Sequence, residues 1–308
     1  MPFSKKQTLL WSLIYLVLLF LSLTPLGLLT IHFVAIPPLI LFVKNRTPVF
    51  AAAFVGSLIG LLAVSMLLQL SFIGYAGIMI AAFFLSPVVI MGTLYRKKAP
   101  ARSAITAGVM TLLGQQLLML VLLTLMGYNV TKGLRNYMQE SMALSQQLLH
   151  MQLPQEVVDL TLTTMTQIIP MFLIAFAFYY TVITHWLGRK LLNRYGAEIP
   201  GLKPVREWML PKSFVWIYLI ALVCSFLFVQ DSQSMLAVIL MNLLPILTFT
   251  FGVQAVAFLS FVCYQKGWNY ALPVLAFIFV IFPPFQTLLA MLGVFDVAFP
   301  IRERMKAK

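Results

Sequence analysis

Acidic side chains are scarce in this sequence. Its 308 residues include 8 Asp and Glu, and none falls clearly inside a long apolar run. Glu140, Glu156, Asp159 and Asp231 map to one side of the membrane, Glu198 and Glu207 to the other, and Asp296 and Glu303 to the C-terminal tail. Ionisable groups at depth are expensive and mark proton relays and ion paths. A carboxylate relay or an intramembrane aspartyl protease therefore has no support. Cysteine and histidine are as sparse, at 2 and 3 residues. Cys224 and Cys263 lie in apolar runs without CxxC spacing or histidine neighbours, so no metal, redox centre or cofactor is expected. P-loop, HExxH and GxSxG patterns and a rhomboid-like Ser and His pairing are missing. The chain reads as non-enzymatic, with no catalytic residue to name.

Charge of either sign is also low, at 9%, while 61% of residues are hydrophobic and the mean hydropathy is +0.97. Soluble domains carry about 25% charged residues, so lipid is the solvent here. A bilayer core of about 30 Å takes roughly 20 apolar residues per helix. Candidate spans fall at Thr8–Leu23, Leu26–Val43, Pro48–Leu70, Phe72–Tyr95, Ser103–Met126, Met165–Leu187, Ser213–Val229, Met235–Gln265 and Tyr270–Leu292. The expected fold is all-α: a polytopic transmembrane bundle of eight or nine helices forming one integral membrane domain over 1–308. Within it, 1–187 forms a six-helix part, 188–212 a charged loop, and 213–308 additional helices and a basic tail. The first run follows Lys5 and Lys6, but no small-x-small site closes it, so it reads as a retained helix rather than a leader. Pro25, Pro37–Pro38, Pro87, Pro170, Pro245 and Pro283–Pro284 should kink or break their helices, the two pairs above all.

The net charge of +13 comes from 21 Lys and Arg clustered between apolar runs, which is a topological signal rather than a nucleic-acid footprint. With the N-terminus cytoplasmic, every cluster before the tail falls inside except Lys132 and Arg135. The basic tail, Arg302 to Lys308, conflicts with an odd number of crossings. Either Tyr270–Leu292 is re-entrant at Pro283–Pro284, or the run from Met235 divides at Pro245 into two short passes. Segment 127–164 is the one sizeable polar region outside, and it reads as two amphipathic helices, either a connector on the membrane surface or a lid over a cavity.

Neutral polar groups at depth need partners. His32 stands beside Pro37–Pro38, where a broken helix could free carbonyls for a ligand; a histidine bonded to a neighbouring helix is the plainer alternative. Gln115, Gln116 and Asn242, with Gln69, Gln254 and Gln286, could line a cavity or bond between helices. His32, Gln115, Gln116 and Asn242 are the candidate ligand residues. His185, next to Trp186, reads as an interface anchor. Gly56 and Gly60 form a GxxxG face for close helix packing.

The stretch from Pro204 to Ser213, with Arg206, Glu207 and Trp208, followed by an apolar helix bearing Trp216 and Tyr218, resembles the YybS-like family of bacterial membrane proteins, whose domain has no known function. Asn242-Leu243-Leu244 with Gln254 and Gln265-Lys266-Gly267 is similar to that family's next helix. Leu292 to Asp296 with Arg302 is similar to its closing segment. The resemblance covers essentially the whole chain and implies a bacterial cytoplasmic membrane. The first six helices are distantly similar to the substrate-capturing subunits of energy-coupling-factor vitamin transporters. Those carry an alanine-x-x-x-alanine face on their first helix, whereas Thr8 to Leu23 contains no alanine.

Two functional readings follow. The first is a transport component that binds a small ligand or lipid in a cavity. The second is a membrane scaffold that recruits or regulates a protein partner through the basic cytoplasmic loop 188–212, in which Arg206, Glu207 and Trp208 either anchor the loop to the bilayer or dock the partner. Membrane lipid is a partner in both, and nucleic acid in neither.

Overall fold

The computed structural model describes residues 2–150, 153–228 and 234–306. Asp231 and Lys308 lie outside the described residues. In chain order the helices are α1 (Lys5–Leu21), α2 (Gly27–Thr30), α3 (Ile36–Lys44), α4 (Thr47–Leu67), α5 (Ser71–Arg96), α6 (Ala101–Leu125) and α7 (Val130–Leu149). They continue with α8 (Gln155–Gln167), α9 (Ile169–Arg194), α10 (Ser213–Phe228), α11 (Met235–Lys266), α12 (Ala271–Val280), α13 (Pro283–Ala298) and α14 (Ile301–Lys306). No strand occurs among the described residues. Lipid favours this, because a helix satisfies its backbone groups within one segment.

By length and composition 6 helices can cross a membrane, or 7 if the bent pair α12–α13 counts as one span. The eight or nine expected exceeds this because α1, with 17 residues, and α10, with 16, rise only about 26 and 24 Å at 1.5 Å per residue. The chain divides into two compact units, Met1–Val130 with Leu173–Leu202 and Thr131–Phe172 with Lys203–Lys308. This differs from the expected partition: 131–172 joins the second unit, and most of the 188–212 loop joins the first.

In unit 1, a capping box closes the start of α1, with Ser4 and Gln7 each accepting the other's backbone N–H,. The second apolar run is not one straight helix. It is α2, a 3-10 turn at Ile31–Phe33, and then α3, with Pro37 and Pro38 in the first turn of α3, where an absent N–H costs little,. The expected break thus falls just before the proline pair. Tyr15, Leu19, Leu39, Ile40, Leu61, Ala81 and Met91 fill the core. Gly60 of the GxxxG pair packs near Leu16 of α1, while Gly56 meets nothing.

The starts of α1 and α4 and the ends of α3, α5 and α9 gather at one end of unit 1, and cations close its helix termini. Arg96 donates to Phe42 O and, at 2.7 Å, to Asn45 O, and it stacks 4.0 Å over the Phe42 ring. Buried Lys44 donates to Tyr195 O at 2.7 Å. Thr8 Oγ1 donates to Asn45 Oδ1 at 3.1 Å. We call this the basic end.

In unit 2, α11 runs 32 residues without a break, about 48 Å at 1.5 Å per residue. Its division at Pro245 is thereby corrected. Thr248 and Thr250 bond back to Leu244 O and Ile246 O beside the proline, and local hydroxyl bonds of this kind let apolar helices carry proline. Gly267, at φ +64, ends α11 in the left-handed conformation that glycine adopts without strain,. Pro283–Pro284 does break the last run: α12 and α13 meet at 119°.

Asp296 is not part of the tail. It is buried on α13, and its carboxylate is paired with Arg302 at 2.5 Å and accepts from Gln254 Nε2 at 2.6 Å. Arg302 also donates to Arg206 O at 2.8 Å and lies over Phe261, while Arg206 stacks 3.7 Å over Tyr264. Gln254 Oε1 accepts from Leu210 N–H at 3.1 Å. A buried charge is tolerable only when paired and hydrogen-bonded, and here the pair locks the C-terminal segment to the 203–210 loop. Val280 packs on Gly252, Gly293 abuts Phe251, and Arg302 reaches Phe261. The α12–α13 pair therefore runs beside α11 and turns back toward the end it left, as a re-entrant pair would.

Single cysteines replacing Trp268 and Arg304 in a cysteine-free chain are expected to be labelled by an impermeant maleimide from the same side; labelling from opposite sides would exclude the re-entrant pair. A Cβ at Gly293 would collide with the Phe251 carbonyl, so Gly293→Ala is expected to cost about 1–3 kcal/mol by overpacking, whereas Gly56→Ala should leave the thermal midpoint unchanged.

Candidate functional site

Three of the four expected ligand residues serve the backbone or a neighbouring ring. Pro87, inside α5, has no N–H for the carbonyl of Phe83 one turn back. Gln115 of α6 supplies the missing donor, with Nε2 2.8 Å from Phe83 O, and its Oε1 accepts from Ser86 Oγ. Asn242 of α11 does similar work where α8 stops and α9 begins: Nδ2 donates to Gln167 O at 2.8 Å, and Oδ1 accepts from Met171 N–H at 2.8 Å. His32 sits in the 3-10 turn with Nδ1 3.1 Å from Tyr179 Oη, its ring edge-on to Tyr179. Gln116 is buried and its Oε1 finds no partner.

His185 is not an interface anchor, since it is buried and its Nδ1 lies 2.7 Å from Tyr95 Oη. Trp186, beside it, is exposed. Thr181, one turn earlier on α9, buries a hydroxyl without a partner against a cavity of about 10 Å³ bordered also by Thr184 and Leu112. That is about the space of one water molecule, which a polar wall favours.

The docking residues of the second reading are engaged inside unit 2. Arg206 stacks on Tyr264, and Trp208 Nε1 donates to Lys203 O at 2.8 Å. Glu207 is exposed. Helices α7 and α8 are tied by Arg135, 3.2 Å from Asp159 and 3.3 Å from Thr163 Oγ1. Helix α7 buries none of its residues.

Unit 1 carries a groove of about 440 Å³, within the roughly 300–1,000 Å³ of small-molecule sites. Trp11, Ile14 and Leu18 of α1 form one wall, Phe33 with Ile36 and Pro37 the floor, and Leu187, Lys190, Leu191 and Arg194 of α9 the other wall. The break in the second span makes it possible: a straight helix through residues 31–36 would carry Phe33 and Ile36 in a different register. Trp11 is buried, its indole N–H has no acceptor among the described residues, and its ring meets that of Tyr195 edge-on at 6.4 Å. Lys190 and Arg194, one turn apart on α9, give the groove a cationic end.

The sequence reading counted Lys190 and Arg194 only as topological charges and passed over Trp11. The available signal was a pair of cations at i and i+4, next to Trp186, on the last turns of an apolar helix. Glu198 is the sole carboxylate side chain in unit 1, and it pairs with Lys98 at 2.6 Å. That hydrogen bond holds the Glu198 carboxyl below its ordinary pKa. Both groups are exposed, so the pair contributes little to stability.

Residues 12–297 match the family described as predicted membrane protein (DUF2232). The chain belongs to that family. It is 25% identical over 240 residues to the uncharacterized protein YybS of Bacillus subtilis (strain 168), covering 75% of this chain and 77% of the relative. No solved structure matches. The protein is thus a multi-pass member of the YybS-like family.

Gln115→Leu is expected to destabilise the chain by about 1–3 kcal/mol, the cost of stranding a buried carbonyl. Adding Pro87→Ala should recover most of that loss, because residue 87 then donates its own N–H to Phe83 O. Equal and additive losses in a double-mutant cycle would contradict the pairing.

Proposed function

We propose that this protein is a non-catalytic component of the bacterial cytoplasmic membrane that binds a lipid or small amphipathic ligand in the unit 1 groove, as part of transport. The observation that carries the reading is the groove itself, apolar for most of its length and cationic at one end. Its open side suits a ligand arriving from the bilayer. The basic end supports a cytoplasmic N-terminus, since Lys and Arg collect on that side of membrane proteins. The bacterial relative is in keeping with that membrane. Gln115 and Asn242 serve helix breaks and His32 a ring partner, which favours the groove as the place for a ligand.

The test is purification of the intact chain from its native membrane in mild detergent, followed by mass spectrometry of everything retained. One amphiphile is expected at near-stoichiometric amount and is expected to be lost in Leu18→Trp, which fills the groove. An empty chain that instead retains a protein partner, with the partner lost on changing Arg206 and Trp208, would overturn the reading in favour of a scaffold.

A further inference from the structure

The groove is chemically uneven along its length. Ile14, Leu18 and Phe33 belong to its apolar lining, and only Lys190 and Arg194 among the lining residues carry charge. No carboxylate answers those two. Glu198 is already held by Lys98, and neither Lys190 nor Arg194 forms an ion pair among the described residues. Their neighbours at the same end are committed to protein carbonyls: Lys44 to Tyr195 O, Arg96 to Phe42 O and Asn45 O, and Arg189 to Ile199 O at 3.0 Å. Lys190 and Arg194 differ from these in lining an apolar groove without an ion pair.

We propose that the groove holds one anionic phospholipid, with its phosphate between Lys190 and Arg194 and an acyl chain along Ile14, Leu18 and Phe33. The assignment rests on the ligand-binding reading above and specifies its headgroup. A guanidinium fork takes phosphate oxygens in pairs, and an ammonium adds a compact point charge. The carbonyl end of α9 would repel an anion, but Lys44 on Tyr195 O offsets it. The depth is also right. Lys190 lies 5.7 Å from the centre of the exposed Trp186 ring, and tryptophan marks the headgroup level. A free soluble anion would use the two cations and leave the channel empty, whereas a zwitterionic lipid would fill the channel and place a cationic group near two cations. An anionic phospholipid satisfies both halves.

The test uses the full-length chain, delipidated and then equilibrated with equimolar phosphatidylglycerol and phosphatidylcholine of identical acyl chains, with bound lipid counted by native mass spectrometry. The wild type should retain a single phosphatidylglycerol in preference to phosphatidylcholine. The double variant Lys190→Gln with Arg194→Gln should lose that preference by about thirtyfold, the order expected for removing two cations at a membrane surface. Its helicity and thermal midpoint should be unchanged, because both side chains are exposed and neither forms an ion pair among the described residues. Equal retention of the two lipids by the wild type, or undiminished preference in the double variant, overturns the proposal. So does displacement of the lipid by inorganic phosphate that is itself retained. Leu18→Trp, with Ile14→Phe as a second filling variant, separates the two claims. If filling abolishes lipid retention while the charge variant changes nothing, the groove is a site but not for an anionic headgroup. If neither matters, the ligand-binding reading falls as well.

Discussion

Hydrocarbon offers a backbone carbonyl no partner, so each place where a helix of this chain is interrupted needs a side chain to take over the freed group. That requirement explains more of the structure than any other. Gln115 answers the carbonyl exposed by Pro87, and Asn242 bridges the junction of α8 and α9. Arg96 and Lys44 answer the carbonyl ends of α3 and α9. Polar residues that stand out in so apolar a sequence are therefore mostly spent on the chain's own backbone. Lys190, Arg194 and the indole N–H of Trp11, none with an ion-pair or hydrogen-bond partner among the described residues, line one groove.

The same constraint separates the two proline pairs from the single prolines. At Pro37–Pro38 and Pro283–Pro284 two successive N–H groups are missing, the helix restarts at the pair, and the preceding residues turn. At Pro87 and Pro245 a single gap is absorbed and the helix continues. The first pair shapes the floor of the groove in unit 1. The second folds α12 and α13 into a pair that brings Arg302 back to Arg206 and Asp296 in unit 2. Breaks in this family member create its two distinctive features.

Helix positions were legible in the sequence because apolar runs of bilayer length admit few other structures. The two amphipathic helices expected in segment 127–164 are present as α7 and α8. The role of Asp296 was not legible, since its partners come from residues 206, 254 and 302 and only folding collects them. Its opposite charge to Arg302 across Phe299–Pro300 was the available hint. Side-chain duty was equally hidden: Gln115 and Asn242 stood out as ligand candidates because both are amides at depth, and sequence gives no sign that each faces a helix break. The groove required knowing that the first, second and sixth spans meet, which periodicity alone does not encode.

The most direct test of the account is an experimental structure of the protein in nanodiscs containing anionic phospholipid. The account predicts elongated density between α1 and α9, ending in a headgroup feature within hydrogen-bond distance of Lys190 and Arg194. A groove closed by protein side chains, or lipid density found only around the outside of the bundle, would contradict it.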